Sequence, residues 1–116
     1  MNSRHDKLLA ILRIGDDTSM RGEGVSLKQV LTRVDYVATR KQFEPQDLVP
    51  LIQAHQELIG QWLMYSEDKR TSGGWYITKA GVVGRVDDPN NTMHFETIEE
   101  AVSEYVVREL DFWAAV

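Results

Sequence analysis

Thr97-Ile98-Glu99-Glu100-Ala101-Val102-Ser103-Glu104-Tyr105-Val106-Val107-Arg108-Glu109-Leu110 is the stretch around which this chain is organised. Ile98, Ala101, Val102, Tyr105, Val106 and Leu110 recur at intervals of three and four, and Trp113 extends the series. That period places them on one face of an α-helix. Thr97 and Glu100 stand at capping-box spacing, so each side chain can satisfy an amide that the first turn leaves open. Glu99 and Glu100 also sit at the positive end of the helix dipole. An apolar stripe of this width has to be covered. The aromatic, strand-like block at residues 61–86 is the candidate cover.

Working outward, a chain of 116 residues with three tryptophans, four tyrosines and three phenylalanines can fill one modest core. The expectation is a single compact domain over residues 1–116. No run approaches the roughly 20 consecutive apolar residues that span a bilayer. The N-terminal residues lead into a short apolar run rather than a secretory core segment, so the expected location is cytoplasmic, with no membrane association. The absence of cysteine removes disulfides and thiol chemistry. Charge is uneven: residues 1–40 carry +2, residues 41–80 carry −1 and residues 81–116 carry −6. An acidic C-terminal third opposes indiscriminate nucleic-acid binding and suits a basic protein partner.

The elements follow from periodicity and punctuation. Leu8, Leu9, Ile11, Leu12 and Ile14 predict a buried helix over residues 6–14, stopped at Gly15-Asp16-Asp17, with a loop over residues 18–24. Ser26 and Gln29 predict a capping box for a second helix ending between Ala38 and Lys41. Pro45 and Pro50 predict a short turn at residues 44–47 and then a helix to about Ile59, broken by Gly60. Gln61-Trp62-Leu63-Met64-Tyr65, Trp75-Tyr76-Ile77-Thr78 and residues 82–86 read as strands, with Gly84 marking a bend, bulge or close approach. Asp87-Asp88-Pro89-Asn90-Asn91 reads as a loop. The fold class is α+β: N-terminal helices, a small antiparallel sheet of two or three strands, and a C-terminal amphipathic helix.

Residues 24–81 resemble a winged-helix domain. Gly24-Val25-Ser26-Leu27 leads into one helix, a second ends near Leu58-Ile59-Gly60, and Trp62 to Tyr65 with Trp75 to Thr78 correspond to the wing strands. Tyr76-Ile77-Thr78-Lys79-Ala80-Gly81 resembles the phrase that closes this unit. The resemblance implies a regulator or nucleic-acid adaptor, with a recognition helix at about residues 47–59. Residues of the right chemistry for bases and phosphates are Arg33, Arg40, Gln53, Gln56, Lys69 and Arg70. DNA is the less favoured partner, because residues 47–59 contain no arginine or lysine.

Residues 82–116 form a strand and helix extension beyond that section. Trp75-Tyr76-Ile77 followed by Phe95-Glu96-Thr97-Ile98-Glu99-Glu100-Ala101 looks like the end of small bacterial immunity proteins of toxin–immunity systems. That resemblance implies a non-enzymatic protein that occludes a basic toxin domain sterically and electrostatically. The partner-facing residues are then Glu67, Asp68, Glu104, Glu109, Asp111 and Trp113: an acidic rim with an aromatic anchor. The apolar terminus Phe112-Trp113-Ala114-Ala115-Val116 either folds back on the body or joins two copies as a homodimer.

Enzymatic chemistry finds no footing. His5, His55 and His94 fall in three different elements, and no ligand spacing marks a metal site. Ser66, Thr71 and Ser72 read as turn residues. Neither a phosphate-binding loop nor a dinucleotide fingerprint occurs. No catalytic residue, metal or cofactor is expected.

Overall fold

The computed structural model describes residues 3–16, 27–69 and 73–115. Helix α1 spans Ser3–Leu12 and tightens into a 3-10 turn at Arg13–Asp16. Leu8, Ile11, Leu12 and Ile14 are all buried, as their dense apolar spacing implies. The loop expected over residues 18–24 and the cap expected at Ser26 lie outside the described residues.

The second helix is two helices, α2 (Leu27–Arg33) and α3 (Tyr36–Arg40). Asp35 divides them at φ 56°, a left-handed conformation that a short polar side chain tolerates better than most. The kink turns Tyr36 wholly into the core. Pro45–Leu48 then form a 3-10 turn leading into α4 (Val49–Ala54), with Pro50 harmless in its first turn. The continuation expected to Ile59 is interrupted at His55, whose φ of −133° and ψ of 71° leave the helical region.

Helix α5 restarts at Glu57 and runs to Lys69. It contains Gly60, read above as a breaker, and residues 61–65, read above as a strand; both expectations are corrected. Leu58, Trp62, Tyr65 and Ser66 are buried at offsets of four, seven and eight, a helical stripe. The aromatic β-propensity of this segment is weaker than that continuous burial. Gly60 faces open space and costs about 1 kcal/mol of helix propensity, which the stripe outweighs. The wing strand that the winged-helix resemblance places at residues 62–65 is therefore helical.

Strands β1 (Trp75–Ile77), β2 (Val82–Arg85) and β3 (Asp88–His94) form an antiparallel sheet in the order β1-β2-β3. Trp75 pairs with Arg85 and Ile77 with Val83; Val83 in turn pairs with Met93. Residues 87–91, expected as a loop, supply part of a tight turn and the first half of β3, so that reading is corrected too. Their polar composition suits a strand because β3 lies at the sheet's solvent edge, with Asp88 through Thr92 exposed. The register slips between Gly84 and Arg85. At Gly84 a Cβ would fall 2.6 Å from the Tyr76 hydroxyl, so the tyrosine ring lies across the glycine on the neighbouring strand.

Helix α6 spans Ile98–Ala114 and is capped by Thr97 as its sequence predicts, but the Glu100 carboxylate meets the threonine hydroxyl and not the amide that a capping box would give it. Thr97 Oγ1 accepts the Glu100 amide at 3.1 Å and donates to Glu100 Oε1 at 2.9 Å. Ala101, Val102, Tyr105, Val106 and Leu110 are completely buried. A fully buried valine or leucine contributes about 1.5–3 kcal/mol, so this face dominates the packing. One core joins Leu8 near the start to Leu110 near the end. The cover for the α6 stripe is broader than the block at residues 61–86, since α2, α4 and the turn at Pro45–Leu48 also pack on α6. Among the described residues, no helix is long and apolar enough to cross a membrane.

Candidate partner-binding site

The polar residues of α6 divide into inward and outward sets. Glu109 is completely buried. It lies four residues after Tyr105 and three after Val106, inside the apolar stripe. Its Oε1 accepts the Trp75 backbone amide at 2.9 Å; its Oε2 accepts the Tyr65 hydroxyl at 3.0 Å and the Trp113 indole N–H at 2.9 Å. The expectation that Glu109 belongs to an exposed acidic rim is corrected on this geometry. Burial, followed by the neighbouring Glu109 charge, pushes the hydroxyls of Tyr65 and Tyr105 far above the ordinary tyrosine range.

Asp111 is likewise committed. It accepts the Tyr36 hydroxyl at 2.6 Å and the Arg40 guanidinium at 3.0 Å, bracing α3 against α6. Burial raises the Tyr36 pKa first, and the Asp111 carboxylate raises it further. Burial lowers that of Arg40, but the bond to Asp111 and its charge outweigh this and leave a net rise. Glu104 forms a pair with Arg108 one turn on, at 2.7 Å. The acidic face expected on the second half of α6 is therefore largely turned inward or neutralised. Glu67 is exposed on α5. Asp68 and Lys69 lie in the last turn of α5, and Arg70 lies outside the described residues.

The end of α6 is open instead of acidic. Phe112 is 40% exposed and Trp113 38%, although the large aromatics Trp62, Trp75, Tyr36, Tyr65 and Tyr105 are all buried. The two rings meet edge to face at 5.0 Å. The bond from Trp113 to buried Glu109 fixes the indole's direction while leaving part of it uncovered. Beside Phe112 lies a shallow depression of about 240 Å³, lined by Trp75, Arg85, Arg108 and Asp111 as well. The Arg85 guanidinium stands 5.0 Å from the Phe112 ring centre, and the Arg108 guanidinium 5.0 Å from that of Trp75. Beside Trp113 lies a second depression of about 260 Å³, reaching Leu31, Tyr36 and exposed Val37. Phe112 and Trp113 thus form a ridge between two hollows. Of the partner-facing residues named from the sequence, Trp113 alone stands on that ridge; Phe112, Val37 and Arg85 were missed. Phe112 was legible as part of the apolar terminus, whereas Val37 and Arg85 come from distant segments.

Of the nucleic-acid set, Arg40 and Gln56 are held apart. Arg40 is held at the Asp111 end of α6, while Gln56 donates to Glu99 at its start, at 3.3 Å. Twelve residues of helix separate those two acids, about 18 Å. Arg33 and Gln53 are exposed on α2 and α4. A third hollow, of about 480 Å³, opens between α5 and β1 and is lined by Leu63, Ser66, Glu67, Tyr76 and Lys79 among others. Ser66 sits in α5, not in a turn, and its hydroxyl accepts the Ile77 amide at 2.9 Å. Among the described residues, no group of three or more histidine or acidic side chains is placed to hold a metal ion.

Comparison with protein-family models, with curated proteins and with solved structures returns no match to this chain.

Proposed function

We propose that this chain is a non-enzymatic protein-binding protein that docks its partner through the Phe112–Trp113 ridge, in the manner of an immunity protein that blocks a toxin by occupying its surface. The observation that carries this reading is the orientation of Trp113: its indole N–H is tied to a buried carboxylate while the residue stays 38% exposed beside a hollow. A pre-oriented, partly open tryptophan loses little side-chain freedom on binding, which is how interface anchors concentrate affinity. The net −6 of residues 81–116 supports a basic partner by accelerating encounter rather than by pairing on the helix itself.

The test is affinity purification of the tagged full chain, with nuclease, against a Phe112→Ser variant whose circular dichroism matches the parent. Phe112 is the residue to change because it carries no hydrogen bond of the Glu109 cluster. The expected result is a stoichiometric, nuclease-resistant protein that binds the variant at least tenfold more weakly. Equal binding to both chains would remove the ridge from the interface. Recovery of nuclease-sensitive nucleic acid with no protein partner would replace the reading with a nucleic-acid one.

A further inference from the structure

The two edges of the sheet are treated differently. Gly74 O accepts from Val86 N, just past β2, and Thr78 N donates to Val82 O, so the amides of Trp75 and Ile77 point away from the sheet. Both are satisfied by side chains, Trp75 by Glu109 and Ile77 by Ser66. The β1 edge is therefore closed by the helices packed on it. At the other edge, Phe95 N donates to Gly81 O at 3.0 Å, so the ladder alternation turns Met93 toward β2 and the backbone groups of Thr92 and His94 outward. Both residues are exposed, and among the described residues their strand has no neighbour on that side. Pro89 and the register slip protect the first half of β3 against pairing, which leaves residues 92–94 as the open part.

We infer that the open edge of β3 at Thr92 and His94 receives an extended, basic segment of a partner protein as an added strand. Charge selects this occupant. Arg85 holds Asp87 in an ion pair at 3.2 Å, and beyond that pair residues 88–101 carry Asp88, Glu96, Glu99 and Glu100 and no lysine or arginine. Asp88, Glu96 and Glu100 are exposed, so an incoming strand meets carboxylates at both ends of β3. The same charges act against a second copy. Antiparallel self-pairing centred on Met93 brings Asp88 of one copy against the Glu96–Glu99 region of the other. Backbone pairing would supply affinity and the flanking acids the choice of partner. The inference rests on the protein-binding reading but uses a surface separate from Phe112.

The experiment takes the isotopically labelled full chain and titrates it with a peptide alternating lysine and valine, following amide shifts and hydrogen exchange. The expected result is slowed exchange centred on Thr92 and His94. Binding should be at least tenfold weaker for a glutamate–valine peptide and for a lysine–valine peptide methylated on alternate backbone nitrogens. A Thr92→Pro variant removes one outward amide without removing a bond to β2, because proline is tolerated where a strand's N–H faces solvent. It should bind the basic peptide at least tenfold more weakly, while Phe112→Ser should bind it as the parent does. Equal binding of the methylated peptide would reduce the effect to charge alone and overturn strand addition. Protection of Thr92 and His94 without peptide, together with a doubled mass, would make the occupant a second copy and also overturn it. No protection with any peptide would overturn the inference while leaving the ridge reading to its own test.

Discussion

The carboxylate of Glu109, on α6, accepts the backbone amide of Trp75 at 2.9 Å and so takes the place of the strand that β1 lacks on that side. One residue of the closing helix thereby connects the sheet edge to α5 through Tyr65 and to the exposed end of α6 through Trp113. A buried carboxylate is costly unless several donors surround it, and here backbone, phenol and indole donors converge. Stability of the edge and orientation of the proposed anchor are set by the same group.

Glu109→Ala should therefore cost about 3 kcal/mol or more, since it leaves three donors without this acceptor and opens a cavity. Glu109→Gln should cost less, because an amide keeps one acceptor oxygen but turns an NH₂ toward at least one donor. Urea denaturation of the three chains measures both. A loss below about 1 kcal/mol for the alanine variant would show that the donors find water or other partners, contrary to the role assigned here.

Much of this was legible in the sequence where one signal acted alone. Thr97, Glu100 and the spacing from Ile98 to Leu110 specify α6 because capping and periodicity agree. Gly84 announced the close approach that Tyr76 makes. The reading failed where two signals competed. At residues 61–65, aromatic and bulky side chains suggested a strand, while the longer series Leu58, Trp62, Tyr65 obeyed the helical period. At Asp88 to Asn91, polarity suggested a loop, yet an exposed edge strand has no need of apolar residues. Glu109 was misplaced for a different reason. Its position within the stripe marks it as inward, but charge suggested a surface residue, and its three donors come from segments 4 to 44 residues away.

Gly84→Ala puts a methyl group against the Tyr76 ring, whose nearest atoms would lie 2.6–2.8 Å from the new carbon. The ring has to swing off the strand, and the expected cost is about 1 kcal/mol from the lost cross-strand contact. In a Tyr76→Ala background the same glycine change should cost nothing or stabilise slightly, since the clash is gone and an alanine restricts the unfolded chain more than glycine does. A double-mutant cycle by thermal denaturation reads the coupling. Additive effects would show that the ring and the glycine are independent.

Thr97→Ala removes the acceptor for the Glu100 amide and should destabilise the protein by about 1 kcal/mol, whereas Thr97→Ser should stay within a few tenths. Chemical denaturation distinguishes them. If both variants match the parent, the start of α6 is held by its buried face and the cap is incidental.

High pH should unfold this protein through its tyrosines. Tyr36, Tyr65 and Tyr105 all titrate above their ordinary value of 10.0, first because they are buried and then because Asp111 or Glu109 stands nearby. Below that value all three are neutral in both folded and unfolded chains, and they add no pH dependence. Above it the unfolded chain releases their protons and the folded chain keeps them. The unfolded state then binds fewer protons, so stability falls as pH rises. The slope is about 1.4 kcal/mol per pH unit for each tyrosine, or about 4 for the three together. A domain stable by about 5–15 kcal/mol is exhausted within roughly one to four pH units of such a slope. Phenolate absorbance and far-ultraviolet circular dichroism, followed together from pH 8 upward, check this. The expected outcome is that these three tyrosines ionise only as the helical signal disappears, in one cooperative step. A Tyr36→Phe variant should show a slope about one third shallower, because two of the three linked groups remain. Ionisation of all three near pH 10 with the helices intact would show that the burial seen around α6 does not hold in solution.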